Sequence, residues 1–379
     1  MRLRYPSYYN NFHCLGTQCK DNCCIGWEID IDEQTLEKYR NIKGCMGKRL
    51  RCAIAEHDSA HFILDEEKRC PFLNQDNLCD IILSIGEENL CTICAEHPRF
   101  NNWFGNLKET GIGLCCEEAV HLLFLSDEPI AFIEEETADI EEADKIDKEV
   151  FSILDYARNV AFDIVQNREL DIIRRMVLLI TFTQDLQKML DAEDWAGAVG
   201  IVDIFRDREN YDEVFSALSQ LQEESTDFLT LAKEIIGVYQ SMEVLDERWK
   251  MLLIETEDRM EANIVENIFP SVLSKNDLAI FIEHLLVYFL FRYYLMAYYD
   301  GDVAAKVNIA ISCVILLCIL QCFLCQSKEE EVLTWGDLVK MYAKEIEYSE
   351  ENLKSLQEAY WTEPCFRLSA YLKIFTFTG

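Results

Sequence analysis

The residues of this chain best suited to chemistry are its cysteines. Seventeen occur among 379 residues, and twelve of them lie before residue 117. They fall into groups: Cys14-x4-Cys19-x3-Cys23-Cys24, then Cys70-x8-Cys79, then Cys91-x2-Cys94 followed by His97, then Cys115-Cys116. Cys45 and Cys52 sit between the first two groups. A tetrahedral thiolate site needs several such groups, each supplying ligands from its own turn once the fold brings them together. Zinc and an iron–sulfur cluster both accept four thiolates, and spacing does not choose between them. The opening MRLRYPSYYN lacks the apolar run of a secretory signal, so a cytoplasmic location is expected. That compartment keeps thiols reduced, which argues against disulfides.

The elements that must position these thiols differ along the chain. Residues 1–125 hold more than half of the glycines and show weak hydrophobic periodicity, which reads as short helices and loops around a metal. Residues 126–150 carry eleven acidic residues and two lysines, the pattern of a linker leading into an exposed acidic helix. From 151 to 379 apolar residues recur at three and four, as in ILDYARNVAFDIVQNRELDIIRRMVLLITF, and Gly and Pro are scarce. The fold expected is mainly α, a cysteine-rich metal-binding module followed by an all-helical domain.

Charge narrows the partners. Of a formal net charge of −34, only −6 falls in residues 1–120. So acidic a surface disfavours nucleic acid and anionic membranes, whose phosphates need Lys and Arg. The most apolar stretch, 303–325, is interrupted by Lys306, Asn308, Ser312 and Gln321, and reads as a buried core helix, not a membrane span.

Beyond the cysteines the motifs resemble a known family. CLGTQCKDNCCIGWEIDID, CPFLNQDNLCDIILSIGEENL, CAEHPRF and LCCEEAVHLL are similar to the flagellin lysine-N-methylases, as are VQNRELDIIRRMVLLITFTQDL and ENIFPSVLSKNDLAIFIEHLLVYFLFRYYLMA. The resemblance implies an enzyme that moves a methyl group from S-adenosylmethionine to lysine side chains of flagellin and requires a [4Fe-4S] cluster. By position, Cys14, Cys19, Cys23, Cys24, Cys70, Cys79, Cys94 and Cys116 match the family's cysteine pattern; Cys45, Cys52, Cys91 and Cys115 are extra. Eight candidates exceed the four that one cluster takes, so the sequence allows two metal sites or a structural half. EIEYSEENL follows the family loosely, with Tyr348 where a His is expected.

Methylating an amine requires its neutral form, held in line with the methyl carbon and the sulfonium. No Gly-rich nucleotide loop is present; GIG at 111–113 is the only close pair. Arg292 with Tyr293 and Tyr294, in FRYYLMAYY, is the candidate cofactor-binding group, because aromatic faces suit a sulfonium. Ordinary helix packing explains the same spacing. His97 could be a ligand, a donor to a thiolate or a loop residue, and Trp27 a shield against water. Two other readings stand beside the enzyme: a zinc- or iron-chelating binding protein, and a zinc-stapled helical scaffold without catalysis.

Overall fold

The computed structural model describes residues 1–20, 22–26, 29–56, 59–137, 145–220, 226–261, 269, 276–324 and 333–375. Trp27, the expected shield, lies outside them. From Lys148 onward every described element is a helix. Aspartates begin many of them. Asp171, Asp194 and Asp227 each accept the backbone N–H three residues on, and Asp147 and Asp246 cap in the same manner. Part of the chain's acidity therefore satisfies orphan donors at helix starts and complements the helix dipole.

The helix Val303–Leu324 forms the centre of the bundle, packed against Asn276–Tyr293, Ile172–Asp191 and Glu350–Thr362. It and Leu278–Asp300 are long and apolar enough to cross a membrane, yet both are mostly covered by the rest of the chain. Three of the four interrupting polar residues, Lys306, Asn308 and Ser312, have partners that explain them. Lys306 pairs with Asp300 and donates to Gln357 at 2.9 Å, Tyr371 donates to Asn308, and Tyr239 donates to Ser312 at 3.0 Å. Buried polar groups are tolerable in such a helix when paired this way.

The N-terminal third holds an element that its weak periodicity did not announce. Strands β1 (Arg2–Pro6), β4 (Arg99–Phe104), β5 (Leu107–Ile112) and β6 (Phe132–Glu136) form one sheet in the order β4-β5-β1-β6. The short strands β2 (Ile54–Ala55) and β3 (His61–Phe62) pair separately. β1 runs parallel to β5 and antiparallel to β6. Residues 132–136, expected in an acidic linker, are thus a strand. Their carboxylates face basic partners: Arg4 lies opposite both Glu109 and Glu134 and bonds each of them, and Tyr5 donates to Glu135.

The hydrophobic interior has two parts. Phe104, Leu107, Ile112, Leu114 and the helix Glu117–Leu123 join the helical core. A separate small core collects Ile29, Ile31, Leu36, Tyr39, Leu50, Phe62, Phe72 and Ile81 with the buried Cys70 and Cys91. So the sheet belongs with the bundle, and only part of residues 1–125 packs around cysteines.

A buried ion network locks sheet to bundle. Arg158, fully buried, forms a two-pronged pair with the fully buried Glu109, at 2.8 and 2.5 Å. Asp155 bridges Arg158 and Arg4. Arg158 also donates to the carbonyl of Phe291, and Asn102 on β4 donates to the carbonyl of Arg292 at 2.7 Å. The sheet therefore fixes the backbone on which Arg292 is mounted.

Candidate functional site

The thiols sort into two neighbourhoods. Cys24, Cys70, Cys79, Cys91 and Cys94 share the small core, and the Cys24, Cys70, Cys91 and Cys94 thiols are each influenced by others of the set. Its hydrogen bond with Cys23, then burial, then the charges of Cys23, Cys70 and Cys79 push the Cys24 thiol far up. Burial first, with Cys79 and Cys91 adding, pushes Cys70 up to about 11. Cys94 rises through its hydrogen bond with Cys91, which in turn lowers Cys91. Thiols that oppose one another's ionisation are relieved by a nearby cationic centre.

The second neighbourhood is Cys116 with Cys14 and Cys23. Burial raises the Cys116 thiol, with the charges of Cys14 and Cys23 adding to it. Cys19 stands beside it, donating its thiol to Glu117 at 3.5 Å. Cys23, hydrogen-bonded to Cys24 and influencing Cys116, therefore lies between the two groups. Cys91, set aside as extra by position, joins the first group, whereas Cys45 and Cys52 are exposed on the helix Gly44–Cys52. Among the described residues no three His, Cys, Asp or Glu side chains are gathered as tightly as a single metal ion requires. One ion draws its thiolates in to about 2.3 Å. The donors of the first group are thiols alone, a set that zinc and an iron–sulfur cluster both accept.

A mostly buried polar cluster lies where the cysteine-bearing segments meet the bundle. Ala343–Glu347 is a π-helical turn, a local widening often found at functional sites. It presents Glu347, whose side chain is wholly buried. The Glu347 Oε2 accepts the hydroxyls of Tyr288 and Tyr293, each at 2.9 Å, and pairs with Arg292 at 3.0 Å. Arg292 also donates to the Tyr288 oxygen at 2.6 Å. Tyr288 and Arg292 are four residues apart and so share one helix face. Burial raises the Glu347 carboxyl above the usual carboxylate range, while Arg292 and the two tyrosines hold it back.

The N-terminal segments form its other side. The loop after β5 contributes Gly113 and Cys115, and the end of the helix Thr92–Glu96 contributes His97. A Cβ on Gly113 would stand 2.8 Å from the Tyr348 hydroxyl and 3.1 Å from the Pro98 carbonyl, so only glycine lets these groups approach. Arg292 lies over the rings of Phe100, Tyr293 and Tyr348. The sulfonium cage imagined for these rings is already filled by the chain's own guanidinium. Tyr294 is fully buried away from it, near Arg158, and its hydroxyl has no partner among the described residues.

Cys115 and His97 approach to 3.8 Å. Burial pushes the Cys115 thiol up to about 12, and burial with Lys344 nearby lowers His97 to about 4. Both are neutral near pH 7, so this is not the thiolate–imidazolium pair of a cysteine nucleophile.

Residues 158–374 match the family model described as the FliB lysine N-methylase C-terminal domain. The chain belongs to this family. The match includes Tyr288, Arg292, Tyr293 and Glu347 but none of the cysteine groups. The chain is similar to the lysine-N-methylases of Salmonella choleraesuis and Salmonella typhimurium, each 25% identical over 136 residues, 34% of this chain and 34% of theirs. It is also 27% identical over 120 residues to the flagellar biosynthetic protein FliU of Salmonella muenchen, covering 30% of this chain and 71% of that protein. The alignment thus spans about a third of the length of the two methylases. No solved structure matches the chain.

Sequence reasoning had named Arg292 and Tyr293 but missed Glu347, Tyr288 and Gly113 as their partners. Glu347 is one of 69 acidic residues, and its burial with Arg292 and two tyrosines, which no local pattern shows, sets it apart.

Proposed function

We propose that the protein is a lysine N-methyltransferase that moves a methyl group from S-adenosylmethionine to lysine side chains of flagellin, with a [4Fe-4S] cluster in its cysteine-rich N-terminal part. The observation that carries this reading is that the family match covers the buried carboxylate and cation of the polar cluster together. The relatives' names, lysine-N-methylase and flagellar biosynthetic protein, support the reaction and the substrate.

Cys24, Cys70, Cys79 and Cys94, with Cys91 as the alternative fourth ligand, would hold the cluster. When bound it would offer iron as a Lewis acid or an electron carrier. The chain's own residues do the rest. Apolar walls from Ile29, Phe72 and Ile81 keep water from the thiols. Arg292 sets a positive charge in the polar cluster, disfavouring the protonated form of an amine brought beside it. Tyr288 and Tyr293 hold Glu347 in place.

The test is to purify the protein anaerobically, assay iron and sulfide, and incubate it with S-adenosylmethionine and flagellin. Methylated lysines found by mass spectrometry are the expected result. An iron-loaded protein that leaves flagellin lysines unmodified would sink the methyltransferase reading. A fully active protein containing zinc and no iron would sink the cluster.

A further inference from the structure

The Glu347 carboxylate is satisfied on one side only. Its Oε2 takes three donors, from Tyr288, Tyr293 and Arg292, while its Oε1 is buried with no hydrogen-bond partner among the described residues. Leaving a buried carboxylate oxygen unpaired is costly, because its water is lost with nothing in return. Such an atom marks a place where a donor belongs.

The surroundings specify the donor. Arg292 balances the charge on Oε2, so the local pair is near neutral and adds no strong demand for a second permanent cation. An entering amine meets Arg292 as a like charge, which favours its neutral form, and Glu347 as a proton acceptor. Tyr348, 37% exposed, lies at the outer edge of the cluster, with its hydroxyl turned in toward Gly113 and Cys115. His97 and Arg292 are partly exposed beside it.

We propose that Glu347 Oε1 receives the proton of the substrate lysine and holds its amine for methyl transfer, so that Glu347 is a catalytic residue. The assignment rests on the methyltransferase reading above. In the step, an N–H bond of the lysine ammonium breaks and its proton passes to Glu347. The freed nitrogen lone pair forms the N–C bond to the methyl carbon. The C–S bond breaks, its electron pair stays on sulfur, and the sulfonium becomes a neutral thioether. The methylated ammonium leaves, and the proton on Glu347 passes to solvent.

The test compares wild type with Glu347→Gln and Glu347→Asp, as full-length, iron-loaded protein acting on flagellin with S-adenosylmethionine. Glu347→Gln keeps the shape and loses the base. Its kcat is expected to fall about 100-fold or more, with KM for flagellin changed less than about threefold. Its rate should then rise about tenfold per pH unit between pH 7 and 9, as solvent takes over the deprotonation, while wild type flattens in that range. Wild-type kcat and an unchanged pH profile in Glu347→Gln would overturn the assignment and leave Oε1 to a buried water. If Glu347→Gln does not fold, Glu347→Asp decides. It keeps the charge but withdraws it by one methylene, and undiminished kcat there would equally refute the role. A wild type that never methylates flagellin refutes the methyltransferase reading instead, so the two failures are distinct.

Discussion

Replacing Glu109 by Gln tests whether the sheet truly fixes the polar cluster. Glu109 is fully buried and takes both prongs of Arg158 together with a bond from Arg4 at 3.0 Å. The amide keeps the volume but removes the charge, leaving Arg158 buried with Asp155 at 3.2 Å as its remaining ion partner. Breaking one side of a buried pair costs about 3–5 kcal/mol. The surviving amide oxygen can still accept one bond, which places the loss near about 3 kcal/mol. A chain of 379 residues unfolds with an entropy of about 0.8 kcal/mol/K, from about 2.1 cal/mol/K per residue. The midpoint should therefore drop about 4 °C in a calorimetric scan. Methylation should suffer more than stability, because Arg158 also holds the Phe291 carbonyl next to Arg292. A double change, Glu109→Leu with Arg158→Met, removes both charges and should recover at least half of the lost stability. A Glu109→Gln midpoint within 1 °C of wild type, or a double variant less stable than the single, would refute the lock.

Other consequences can be checked alongside it. Gly113→Ala would force the Tyr348 hydroxyl out of the polar cluster; about 1–2 kcal/mol of stability and at least tenfold in kcat/KM should go, measured by denaturant unfolding and the methylation assay. Cys24→Ser and Cys70→Ser should lower bound iron by half or more in a colorimetric assay, while Cys45→Ser and Cys52→Ser should leave it unchanged, since both thiols are exposed and apart from the others. Cys318→Ala, in the buried central helix, should leave iron intact and cost about 1 kcal/mol of packing in denaturant unfolding. His97 is lowered to about 4 in the fold against about 6.5 unfolded, so between these values the unfolded chain binds the proton first. Stability should thus fall as pH drops from 6.5 to 4, by about 1–3 kcal/mol after allowance for its partial exposure. In His97→Asn that slope should vanish from unfolding curves taken across the window.

Two kinds of information were present in the chain itself. Thiol chemistry depends on residue type and close spacing, both local, so the cysteine groups stood out at once. The helices after residue 147 follow from a period carried by neighbouring residues, and the central helix Val303–Leu324 was recognisable as buried despite its polar interruptions. Tertiary structure decided what depends on distant pairing. β1 finds β5 about a hundred residues away and β6 farther still, and no local pattern encodes such partners. The family resemblance left Cys91 and Cys115 outside the set, but folding places Cys91 among the small-core thiols and Cys115 against His97. Charge works the same way. Glu109 and Glu347 look like any other acid in a strongly acidic sequence, and they acquire their roles when burial removes water and leaves each to specific arginines and tyrosines.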